Sequence, residues 1–67
     1  MSTVQINGEN REVPSDITVS QLLVNFSLTA KMVVVELNGA IVRRTAYDTE
    51  LVTDGSTVEI VQMMAGG

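Results

Sequence analysis

The chain has no cysteine and no histidine. Those two absences remove a disulfide framework, a thiolate metal site, the commonest zinc ligand, the commonest general base and the best thiol nucleophile. Positive charge is also scarce, with four Lys and Arg against eight Asp and Glu and a net charge of −4. Arg43-Arg44 is the sole adjacent basic pair, and Phe26 and Tyr47 are the only aromatics, whereas nucleic-acid surfaces cluster cations against phosphates. No nucleic acid is expected, and an acidic surface suits a basic patch on a partner protein. No apolar run reaches the ~18 residues of a membrane span, and no basic-then-apolar leader opens the chain. The expectation is a cytoplasmic protein that uses no membrane. Its carboxylates are scattered along the sequence, so a self-contained enzyme is not expected either.

The 67 residues suffice for one small domain, and 45% hydrophobic against 18% charged residues favours a folded globule over disorder. Thr3-Val4-Gln5-Ile6 alternates polar and apolar as a half-buried strand does. Asn7-Gly8 signals a turn and Arg11-Glu12-Val13 a returning strand, giving a hairpin with a loop of about four residues that includes Glu9-Asn10. The period then changes: Val19, Leu22, Leu23 and Phe26 share one helical face, while Val24 lies off it. Thr18 and Gln21 form a capping box at the start of that helix. Met32 to Leu37 is apolar at nearly every position and reads as a strand covered on much of both faces. Asn38-Gly39 turns it back into Ala40-Ile41-Val42. An irregular stretch from Arg43 to Thr49 comes next, with Tyr47 at its edge. After a turn at Asp54-Gly55, Thr57 to Val61 forms the last strand. The order strand, strand, helix, strand, strand, loop, strand predicts an α+β fold in which one helix covers one face of a mixed sheet of four to five strands.

The chain ends Met63-Met64-Ala65-Gly66-Gly67. After the last strand these residues have little left to pair with, and residues 63–67 are expected to form a flexible tail on a single domain spanning 1–67. Glycines without a Cβ pass where larger residues clash, and the terminal carboxyl is an anion at neutral pH. Such a tail suits insertion into another protein's active site through Met64, Ala65, Gly66 and Gly67. Two terminal glycines alone would be unremarkable; the context of a small one-helix sheet with no other reactive group points to function. One of Met63 and Met64 fills a gap at the sheet edge on this reading, and the other joins an apolar docking surface. Glu59, on the polar face of the last strand, is a further candidate for partner contact, while Arg43-Arg44 reads as a solvated loop pair.

Val35-Glu36-Leu37-Asn38-Gly39, Ile41-Val42-Arg43-Arg44, Asp54-Gly55, Val58-Glu59-Ile60-Val61 and the closing Met64-Ala65-Gly66-Gly67 together resemble the ThiS-type sulfur carriers of thiamin biosynthesis. The resemblance covers essentially the whole chain. It departs from the family's pattern at Arg43, Gln62 and Ala65, where many members carry Pro, His and Gly. It implies a ubiquitin-like β-grasp fold with the first and last strands adjacent and parallel. It also implies that a ThiF-type, E1-like enzyme uses ATP and Mg²⁺ to adenylate Gly67, with no cofactor bound by the chain itself. Sulfur from a persulfide donor, such as a cysteine desulfurase system, then gives a C-terminal thiocarboxylate that a ThiG-type thiazole synthase consumes. The alternatives are the small subunit of molybdopterin synthase, whose Phe- and Pro-rich stretch before the tail has no counterpart in Ile60 to Met64, a ubiquitin-like protein modifier, and a structural domain with an idle tail.

Overall fold

The computed structural model describes residues 1–63. Strands β1 (Ser2–Ile6) and β2 (Glu9–Val13) form an antiparallel hairpin. Asn7 and Gly8 both adopt positive φ, so the turn has two residues rather than four, and Glu9 and Asn10 belong to the returning strand. Two left-handed residues supply the twist that a tight hairpin needs, which is why Asn-Gly alone closes it.

Short strand β3 (Ile17–Thr18) leads into helix α1 (Val19–Asn25). Thr18 Oγ1 accepts from the Gln21 N–H at 3.1 Å, and Gln21 Oε1 accepts from the Thr18 N–H at 2.9 Å, completing the expected capping box. Val19, Leu22 and Leu23 are buried, whereas Val24, off the stripe, is 75% exposed. The helix stops at Phe26 because Ser27 turns left-handed at φ 59°. The Ser27 N–H then reaches Val24 O and the Leu28 N–H reaches Leu23 O, which satisfies carbonyls that have no partner within the helix.

A 3₁₀ turn over Ala30–Met32 delivers the chain to β4 (Val33–Leu37), which pairs antiparallel with β5 (Ala40–Val42) across Asn38-Gly39. β4 is not covered on both faces. Val33, Val35 and Leu37 are buried beneath the helix side, while Val34 and Glu36 face outward. The single helix covers one face only, so the apolar run of β4 serves two different environments. β6 (Leu51–Val52) and β3 make a separate two-stranded ribbon that the sequence pattern does not resolve, since two-residue strands carry no periodicity. Tyr47, placed at the edge of its loop by the sequence, is 4% exposed and part of the core.

The last strand, β7 (Thr57–Gln62), enters the middle of the five-stranded sheet, whose order is β2-β1-β7-β4-β5. It runs parallel to β1 and antiparallel to β4. Val4, Val13, Leu22, Leu23, Val35, Val52 and Val58 are among the residues that fill the core between sheet and helix.

Candidate functional site

Strand β7 carries the chain toward its C-terminus, so its anchoring determines where Met63, the last described residue, sits. The Met63 N–H donates to Met32 O at 2.7 Å, extending the β4 ladder one residue past β7. On the other side the Asn7 side chain holds both backbone groups of Ile60: its Oδ1 accepts from the Ile60 N–H at 2.7 Å, and its Nδ2 donates to Ile60 O at 3.0 Å. Asn38 acts similarly at the start of the strand, where its N–H reaches Thr57 O at 2.7 Å and its Oδ1 accepts from the Thr57 N–H at 2.8 Å. Both asparagines sit in left-handed turns, a conformation Asn tolerates better than most residues. The exit point of the chain is therefore fixed from two sides.

Glu59 is exposed on the outward face of the sheet, directly across from Glu36. Next along the same pair of strands, Val61 faces Val34, and Ile41 of β5 lies beside Glu36. Val61 and Ile41 are 60% and 67% exposed. Met32 and Met63, both partly exposed, lie at the end of this region where the described chain stops. The structure thus brings Glu59 and Met63 to one surface and adds Glu36, Val34, Ile41 and Val61 to them. The unbroken apolar run of β4 was the available signal for Val34, but it was also what suggested burial on both faces. Gly67, Gly66, Ala65 and Met64 lie outside the described residues. Among the described residues, no three His, Cys, Asp or Glu side chains gather where they could hold a metal ion. No described helix is long and apolar enough to cross a membrane.

Residues 4–67 match the model of the ThiS family. The chain belongs to that family. It is 32% identical over 65 residues to the sulfur carrier protein ThiS of Bacillus subtilis (strain 168), covering 96% of this chain and 98% of that one. It is 39% identical over 62 residues to a thiazole synthase of Paramagnetospirillum magneticum, covering 92% of this chain but spanning only 19% of that protein's length. Among solved structures it is similar to the crystal structure of the thiamine biosynthesis protein ThiS from Geobacter metallireducens, with a TM-score of 0.84, 35% identity and coverage of 97% and 99%. The solution structure of a thiamine biosynthesis protein from the same organism matches with a TM-score of 0.81. The β-grasp architecture of this ThiS-family chain, with β1 and β7 adjacent and parallel, is the one its sequence resemblance implied.

Proposed function

We propose that this chain is the sulfur carrier that supplies thiazole formation in thiamin biosynthesis, with the Gly67 carboxylate as its working group. The observation that carries the reading is the family match across residues 4–67, which reaches the terminal glycine itself. A free carboxylate resists nucleophiles because its charge opposes attack. In the proposed first step a Gly67 carboxylate oxygen attacks the α-phosphorus of ATP on a ThiF-type activating enzyme, releasing pyrophosphate. That enzyme must provide Mg²⁺ and cationic groups to balance the phosphate charge, and the carrier acts as substrate rather than catalyst. A persulfide sulfur from a cysteine desulfurase system then attacks the acyl carbon and AMP leaves. A thiol cleaves the resulting acyl disulfide, is itself oxidised into a disulfide, and leaves the thiocarboxylate on Gly67.

The outward face of the sheet is suited to the activating enzyme. Val34, Ile41 and Val61 offer apolar area, and Glu36 and Glu59 supply negative charge beside it, so the complementary surface is apolar with an adjacent cation. Met63 and then Met64, Ala65 and Gly66 lead from this face into the enzyme's active site. Thiazole synthase is the proposed acceptor of sulfur, a pairing supported by the thiazole synthase whose own chain carries a segment like this one. The proposed location of this work is the cytoplasm.

Intact-protein mass spectrometry tests the reading. Incubated with the activating enzyme, ATP, a cysteine desulfurase and cysteine, the chain is expected to gain the mass of one oxygen replaced by sulfur, mapped to Gly67. A variant lacking Gly66 and Gly67 should keep its fold and remain uncharged. An unmodified wild-type terminus, under conditions that charge the Bacillus carrier, overturns the proposal. Isopeptide conjugates in place of a thiocarboxylate would mark a protein modifier instead.

A further inference from the structure

Backbone groups along β7 alternate between two neighbours. Odd-numbered residues turn theirs toward β4, as the bonds Asn38 N–H to Thr57 O and Met63 N–H to Met32 O show, each 2.7 Å long. Even-numbered residues face β1: Val58 O accepts from the Asn7 N–H at 2.9 Å, and Ile60 is held by the Asn7 side chain. Gln62 is next in that series. By then β1 has ended at Ile6 and the chain has turned into β2, so among the described residues nothing pairs with Gln62 on that side. Its free edge borders a groove of about 430 Å³ on the helix side of the sheet, opposite the Glu36–Glu59 face. Ile6, Phe26 and Leu28, all half-buried, supply its apolar wall, and the Glu9–Arg11 ion pair, 2.8 Å across, stands on its rim.

We propose that thiazole synthase docks here by laying an extended segment beside β7, in line with β1, where it pairs with the N–H and C=O of Gln62. One apolar side chain of that segment enters the groove. The proposal rests on the sulfur-carrier reading and names a second surface for it. An unpaired backbone edge is complemented by another extended main chain, and the apolar wall beside it selects an apolar side chain. Among the described residues the open edge is one residue pair long, at Gln62. It also lies immediately before the tail, so whatever grips Gln62 aims the residues beyond it. The outward face and this groove flank the same exit from opposite sides, so activating enzyme and acceptor can each recognise the carrier by a surface of its own. In the Paramagnetospirillum protein a related segment shares a chain with thiazole synthase, which is the ground for naming that enzyme as the occupant.

Amide hydrogen exchange on the full chain, with and without thiazole synthase, tests the geometry directly. In the free chain the Gln62 amide is expected to exchange rapidly while Val61 and Met63 are protected. Saturation with thiazole synthase should slow Gln62 by at least about tenfold, the weight of one well-formed hydrogen bond. Gln62→Pro removes that donor, for which no described residue provides an acceptor, and Gln62→Ala controls for the loss of the side chain. Gln62→Pro should still be charged at Gly67 but bind thiazole synthase at least about tenfold more weakly, while Gln62→Ala binds as the wild type does. Unchanged Gln62 exchange on binding, or undiminished binding by a folded Gln62→Pro, overturns the proposal. Loss of charging in Gln62→Pro assigns the edge to the activating enzyme and overturns it too. If the wild type is neither charged nor bound, the carrier reading itself fails. Should Gln62→Pro not fold, the exchange measurement on the wild type decides.

Discussion

Asn7 and Asn38 each close a hairpin with their backbone and grip β7 with their side chain. The turn role is legible in the sequence because Asn-Gly between strands carries its own conformational signature. The grip is not, since Asn7 and Ile60 are 53 residues apart and only the folded sheet brings them together. Asn7→Ala removes a donor and an acceptor from partly buried backbone groups. It is expected to cost about 1–3 kcal/mol, read as a lowered urea midpoint at unchanged slope. Asn7→Gly, which relieves the left-handed backbone but equally lacks the amide, should recover only part of that loss. A variant as stable as the wild type would show that the two bonds to Ile60 contribute nothing net.

Across β4 and β7, Glu36 and Glu59 stand directly opposite each other on the exposed face, and like charges at such positions oppose pairing. Neutralising one should therefore stabilise the free chain. Glu36→Gln is expected to raise stability by about 0.2–1 kcal/mol in thermal unfolding at low salt, with the gain fading at ~1 M salt. If the pair serves a cationic partner surface, the same substitution slows adenylation under those low-salt conditions. Stabilisation without slower adenylation would leave the pair without a role in docking. At this scale the sequence is informative about helix α1, whose stripe and capping box are both local patterns. It is less so about β4, because alternation cannot distinguish an apolar residue bound for the core from one bound for a partner. Val34 and Val35 are the same amino acid on opposite faces. Alternation along β7 places Glu59 outward but does not reveal its neighbour Glu36, because register across the sheet sets that adjacency.

Over the whole molecule, the proposal separates chemistry from recognition: the proposed reacting atoms belong to Gly67, while the surfaces proposed to select partners belong to the folded sheet. Ile41→Ser tests this division. Ile41 is 67% exposed, so the change should shift the melting temperature by no more than a few degrees while lowering the rate of adenylation at limiting activating enzyme. An unchanged rate would remove β5 from the docking surface. The β-grasp topology was readable through family resemblance, whereas the outward patch and the open edge at Gln62 required the strand order. That order also has a mechanical consequence. A partner that draws the tail into its active site pulls along the axis of β7, which lies between β1 and β4 rather than at a margin of the sheet. Traction is then shared as shear by the bonds on both flanks, including the Asn7 grip near the exit, instead of peeling an outer strand away one bond at a time. A pull on the end is thus borne by the middle of the sheet.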